Sequence, residues 1–306
     1  MKAPAKLGAY AAVLVVVLTA GAGVGAAVGP LDDGDDAPGM AHETSSDGTT
    51  PEESPDMPAG LSASEAGYTF TPEDTTFTPG VAEPFAFRVL GPGGAPVTDF
   101  DTRHEQDLHL IVVSGYLADY QHLHPALSAD GTWSTELGLP RAGGYRAYAD
   151  FAAAGAEPLT LGVDLLVAGE LAPQPLPAPA ATATVDGYEV LLDGDVTAGA
   201  ESALHFRVAR DGAAVSDLEP YLGAFGHLVA IRATDHAYLH VHPTEDSSPA
   251  QVAFSVHVPS PGSYRLFLDF QHQGVVRTAT FTLDVPAAEA TSGTAHEEEG
   301  GHGGGH

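Results

Sequence analysis

The chain repeats itself, and the repeat limits the folds open to it. F-A-F-R-V at 85–89 returns as L-H-F-R-V at 204–208, and G-Y-R-A-Y-A-D-F at 144–151 returns as S-Y-R-L-F-L-D-F at 263–270. Val97-Thr98-Asp99 likewise matches Val215-Ser216-Asp217. Many matched positions lie 118 or 119 residues apart. Each copy spans roughly 100 residues, the usual size of an immunoglobulin-like sandwich and enough for its own core. Within a copy, short apolar runs alternate with Gly, Pro and Asp, and no helical period is sustained. That texture predicts an all-β sandwich rather than a helical domain.

The rest of the chain divides around the two copies. Met1–Lys6 carries Lys2 and Lys6, and Leu7–Gly29 is uncharged and mostly apolar or small. As a helix, that run would extend about 34 Å, enough for a bilayer core. The positive charges before it and Asp32, Asp33, Asp35 and Asp36 after it place the N-terminus inside and the remainder outside. Ala20-Gly21-Ala22 also fits a signal-peptide cleavage site, but the spanning length favours an uncleaved anchor. The expected organisation is an anchor or signal segment (1–30), a disordered acidic stalk (31–66), sandwich one (67–169), a Pro/Ala linker (170–183), sandwich two (184–286) and a disordered His-rich tail (287–306). The stalk is too poor in large apolar residues to bury a core. The linker L-A-P-Q-P-L-P-A-P-A-A at 171–181 is semi-rigid by composition. The tail ends H-E-E-E-G-G-H-G-G-G-H, a flexible metal-binding composition.

Composition excludes several functions. With 41 acidic residues against 11 basic ones, the surface offers phosphates no footprint, so nucleic acid is not an expected partner. No cysteine is present, which removes disulfides, thiolate catalysis and Cys-based metal centres. No H-E-x-x-H, G-x-S-x-G or P-loop occurs, and no catalytic residue can be named.

What remains is histidine. His109, His122 and His124 recur at identical spacing as His227, His240 and His242, each set closing on H-x-H-P. Imidazole is the commonest transition-metal ligand side chain. Residues i and i+2 of a strand share a face, so each H-x-H pair points one way. The first histidine of each set joins its pair only if hairpin register places 109 opposite 124; a slip of one residue sends it to the other face. Taken singly, each of these histidines reads as a satisfied half-buried side chain; the recurrence of all three is what argues for ligands. Asp150 and Asp269 occupy matched positions and could orient an imidazole or supply an oxygen ligand. His272 has no counterpart in copy one, so the expected principal site is His227, His240 and His242 with Asp269 and His272. His109, His122 and His124 form an expected second site, while His104 and His205 look isolated. Imidazole with carboxylate suits Cu(II), with Zn(II) as the alternative.

The motifs L-H-L-I-V-V (108–113), Q-H-L-H-P (121–125), E-P-Y-L-G-A-F-G-H-L-V (219–229) and Y-L-H-V-H-P (238–243) resemble a family of membrane-anchored, secreted actinobacterial proteins. More distantly, each copy is similar to YtkA/FixH-like and copper-resistance-type β-sandwich domains. That resemblance implies an extracytoplasmic role near copper handling. The N-terminal histidine and Met-rich segments by which copper-resistance domains bind metal are absent here, so none of their residues carries over.

The resulting expectation is a single-pass, membrane-anchored ectodomain of two tandem immunoglobulin-like sandwiches. It would bind a divalent transition metal, copper first, for buffering or delivery, and would not be an enzyme. The alternative is a structural or protein-interaction module of the cell surface.

Overall fold

The computed structural model describes residues 58–239 and 241–287. The expected membrane helix, most of the expected stalk, His240 and the His-rich tail fall outside these residues. Among the described residues no helix is long and apolar enough to cross a membrane.

The chain forms two tandem sandwiches, antiparallel throughout their described strands except where the short Thr76–Phe77 strand pairs parallel with Leu159–Val167. The first contains β1 (Ser64–Glu65), β2 (Tyr68–Pro72), β3 (Thr76–Phe77), β4 (Ala82–Leu90), β5 (Leu108–Ser114), β6 (Tyr120–Leu123), β7 (Ala126–Leu127), β8 (Thr132–Gly138), β9 (Gly143–Phe151) and β10 (Leu159–Val167). Its sheets run β1-β2-β4-β8-β7 and β3-β10-β9-β5-β6. The second contains β11 (Thr182–Val185), β12 (Tyr188–Asp193), β13 (Glu201–Arg210), β14 (Ala213–Ala214), β15 (His227–Arg232), β16 (Tyr238–Leu239), β17 (Val241–Pro243), β18 (Val252–His257), β19 (Gly262–His272) and β20 (Val275–Val285). Its sheets run β11-β12-β13-β18-β17, with β14 on β13, and β16-β15-β19-β20. Alternation explains the outer strands. On β4, Phe85, Phe87 and Val89 face inward between more exposed neighbours, as one-sided sheets require.

The inner strands do not alternate. All seven residues of β5 are buried, so both faces of that strand are covered. Leu108, Leu110 and Val112 enter the core of sandwich one. Ile111 and Val113 enter a third apolar cluster with Leu117 and Tyr148 of sandwich one and Val229, Ile231, Tyr238 and Phe267 of sandwich two. Sheet β3-β10-β9-β5-β6 thus packs on sheet β16-β15-β19-β20. Tyr120 stacks on Phe267 with centroids 4.2 Å apart, and Tyr148 meets Tyr238 at 5.4 Å. In the repeat, Tyr120 matches Tyr238 and Tyr148 matches Phe267. The two contacts are therefore one contact made twice, and the copies face each other across an approximate two-fold axis.

Two sequence expectations need correction. The stalk does not extend to Ala66. Residues 58–66 join the fold: the Gly60 N–H bonds to the Thr160 carbonyl, and the Gly60 carbonyl accepts from Arg146 Nε at 2.9 Å and Nη2 at 2.7 Å. Gly60 has φ +74°, and a Cβ there would meet Tyr148 Cδ1 at 2.6 Å, so only glycine fits the crossing. Nor does the second H-x-H segment belong to one strand with the residues before it, as the shared-face reading assumed. β16 stays with β15, while β17 crosses to the other sheet and pairs with β18.

Candidate metal centre

Register settles where the first histidine points. Leu110 pairs with Leu123 and Ile111 with His122, which brings 109 opposite 124. His109, His122 and His124 therefore share the β5–β6 face that meets the other sandwich. His227 opens β15 on the equivalent face. The matched pair His109 and His227 stack across the approximate axis, with centroids 5.4 Å apart and planes inclined by 16°. The expected pair of separate sites is thus replaced by one composite cluster. One potential ligand nitrogen from each of His109, His122 and His227 lies within 4.8 Å of the others.

With Asp269 ionised, as it is above its value of about 6, the hydrogen bonds set the tautomers. The His109 Nε2–H donates to the Arg103 carbonyl at 3.1 Å, an oxygen that can only accept. His109 Nδ1 then carries a lone pair. The His122 Nδ1–H donates to Asp269 Oδ2 at 2.9 Å, which leaves the lone pair on Nε2. These two lone-pair nitrogens face each other at 3.0 Å. Neutral imidazoles so arranged repel unless a proton or a cation lies between them. Two imidazole nitrogens on a tetrahedral Zn(II) would stand about 3.3 Å apart. Among the described residues, His227 Nδ1 and His124 Nε2 are also buried without a hydrogen-bond partner, a rare condition for polar atoms.

A proton is disfavoured in this position. Burial, followed by the neighbouring histidines, holds His122 and His227 well below the ordinary imidazole range. Burial likewise lowers His109, lowers His104, and brings His124 down to about 4. At neutral pH these rings are uncharged and their lone pairs available. Asp269 is pushed the other way, to about 6, chiefly by burial. Its carboxylate is served by three donors: His122 Nδ1, the Tyr120 hydroxyl at 3.2 Å and the Thr278 hydroxyl at 2.5 Å. Asp269 comes from sandwich two and His122 from sandwich one, so the orienting carboxylate also crosses the interface. This is how ligating imidazoles are commonly held.

Asp150 borders the cluster, where its charge acts on His109 and His104, and the remaining named residues bond elsewhere. Asp150 is opposite His109 in register and accepts from Thr160 at 3.1 Å. His272 follows Asp269 by three residues on β19, and this odd offset puts it on the opposite face. Its ring bonds the Tyr188 hydroxyl at 2.8 Å and Asp217 at 3.2 Å, inside sandwich two. His242 pairs with Ser255 on β18 and is exposed. His240 is outside the described residues.

His104, which the sequence leaves isolated, joins the cluster. Its ring lies 6.0 Å from His109 and 5.7 Å from His227. It sits in a tight turn closed by reciprocal Arg103–Gln106 backbone bonds, with φ +45° at His104 and +63° at Glu105. Such turns favour Asn-Gly or Gly-Gly. The matched turn in copy two is Leu222-Gly223. A histidine in place of leucine at matched positions was the available signal.

The family model of a domain of unknown function, DUF8832, matches twice, over residues 63–165 and 183–287. The chain belongs to that family and carries its domain in duplicate. No curated protein matches the chain. Among solved structures it is similar to the Lin-41 filamin domain at 18% identity, covering 36% of this chain and 98% of that one, with a TM-score of 0.25. It is also similar to the Escherichia coli adhesin FdeC at 12% identity, covering 73% of this chain and 65% of that one, with a TM-score of 0.25. Invasin, a bacterial integrin-binding protein, is similar at 14% identity, covering 72% and 40%, with a TM-score of 0.22.

Proposed function

We propose that this member of the DUF8832 family binds one divalent transition-metal ion, Cu(II) or Zn(II), between its two sandwiches, for buffering or delivery outside the membrane. One observation carries the reading: His109 Nδ1 and His122 Nε2 face each other at 3.0 Å while the other nitrogen of each ring is engaged, His109 by the Arg103 carbonyl and His122 by the Asp269 carboxylate, to which it donates when Asp269 is ionised. His227, from the second sandwich, supplies the third nitrogen, so the ion would cross-link the two repeats. Neutral, desolvated imidazoles with a carboxylate behind one of them suit borderline metals rather than Mg(II) or Ca(II). The anchor-like run at 7–29 and the resemblance to YtkA/FixH-like and copper-resistance-type domains support an extracytoplasmic setting.

Titration of the full chain with Cu(II) and Zn(II) tests this, with His296, His302 and His306 of the tail changed to Ala. One equivalent should bind and raise the midpoint of thermal unfolding, and His227→Ala should abolish both effects. Uptake that survives His227→Ala unchanged rejects the composite site. No uptake at all leaves the cluster as interdomain packing.

A further inference from the structure

The geometry points to His124 as a fourth ligand that closes the site into an all-imidazole, four-nitrogen set. This rests on the reading above, in which His109, His122 and His227 supply three nitrogens. For a tetrahedral ion with metal–nitrogen bonds near 2.0–2.1 Å, ligating imidazole centroids fall about 5 Å apart. His109 and His122 stand 5.2 Å from each other. His124 is 5.2 Å from His109 and 4.7 Å from His122, and His227 is 5.4 Å and 4.6 Å from the same two rings. His104 lies further off, 6.0 Å from His109 and 5.7 Å from His227. Among the described residues His124 Nε2 is buried without a partner, a cost that a metal bond would remove. The nitrogens already within 4.8 Å of one another are those of His109, His122 and His227, so the His124 ring must turn about its side-chain torsions to complete the set.

The assignment has a functional consequence. A metal with three protein ligands keeps an open position for water or substrate; four protein ligands leave none. A closed set retains its ion, which fits sequestration and slow hand-over rather than turnover.

The chain contains no cysteine, which allows a direct test. Co(II), a spectroscopic surrogate for Zn(II), is added to the full chain and to His124→Cys. If position 124 is in the coordination sphere, the variant gains a near-ultraviolet thiolate-to-Co(II) charge-transfer band that the parent lacks. His124→Ala should lower the intense visible absorption of four-coordinate Co(II) severalfold and weaken affinity by at least roughly 10- to 100-fold, the range that even outer-shell partners command. His104→Cys should show no such band. Co(II) uptake by the parent with no band in His124→Cys, or with the band in His104→Cys instead, overturns the assignment alone. Absence of Co(II) uptake by the parent removes the underlying site and the assignment with it.

Discussion

The two repeats carry the same histidine spacing and use it differently. In the first, the chain leaves the inner sheet after Leu123, so His122 lies on a strand that still faces the second sandwich, and His124 stays beside it. In the second, the inner strand ends at Leu239, which matches Gln121, and the chain has already crossed when it reaches Val241. His242, the counterpart of His124, therefore lies exposed beside Ser255 on the outer sheet. An H-x-H pattern fixes which residues share a strand face. It does not fix the residue at which the strand changes sheets, and here that difference separates a cluster member from a surface histidine. The first repeat supplies most of the candidate ligands, while the second supplies His227 and the buried carboxylate of Asp269.

Several measurements would break or sharpen this contrast. The largest effect is expected from the shared interface. Phe267→Ala removes a fully buried ring stacked on Tyr120 and should cost about 3–5 kcal/mol in denaturant unfolding. A cost under about 1 kcal/mol would show that the sandwiches do not depend on this packing. Next comes the ligand contrast between repeats. His122→Ala should weaken Zn(II) binding by about 100-fold or more, ~2.7 kcal/mol, whereas His242→Ala should leave it within about twofold, as expected of a surface change. Equal losses would mean that the second repeat has a site of its own. The matched aspartates should differ less. Asp269→Asn should weaken binding by roughly 10- to 100-fold by loosening His122, and Asp150→Asn, bonded to Thr160, should have little effect; competition against a chromophoric chelator reads both.

The smallest effect is expected from pH. Three ordinary imidazoles would lose roughly 1000-fold in metal affinity between about pH 7.5 and about pH 5.5, through proton competition. Because the cluster's values are held down by burial, the loss here should stay under about tenfold. Stability of the metal-free protein follows the same linkage. The depressed imidazoles bind fewer protons folded than unfolded, so stability should fall as pH drops from about 6.5 towards the His124 value of about 4. Asp269 acts in the opposite sense. Its raised folded value of about 6 adds stability below the ordinary carboxylate range and loses it as pH rises through about 6. Five lowered imidazoles outnumber one raised carboxyl, so the net change on acidification should be destabilising. A urea midpoint that rises between about pH 7 and about pH 5, with chelator present, would contradict that balance.

Much of this was legible in the residues. The doubled F-R-V and Y-R-x-x-x-D-F motifs mark β4, β9, β13 and β19, and the turn-bounded apolar runs mark the other long strands. One further signal lay unused in H-L-I-V-V and H-L-V-A-I. An unbroken apolar run on an antiparallel strand means that both faces are covered, so β5 and β15 already announced a layer beyond their own sandwich. His104 was visible as a histidine where the other repeat has Leu222. His272 stands three residues after Asp269, and on a strand that odd offset already sets the two on opposite faces.

The sequence by itself determined the strands, the duplication, the recurrence of histidine at matched positions and the sharing of a face by His122 and His124. These depend on period, propensity and composition, which act over a few residues. Only the tertiary structure decided that His109 lies opposite His124, that β16 and β17 part company, and that the two repeats bring their histidines to one place. Register and sheet-to-sheet packing are set by contacts between residues more than 100 positions apart, such as Tyr120 on Phe267 and His122 on Asp269. No local pattern encodes which surface will cover the outer face of β5; burying the two inner sheets against each other does.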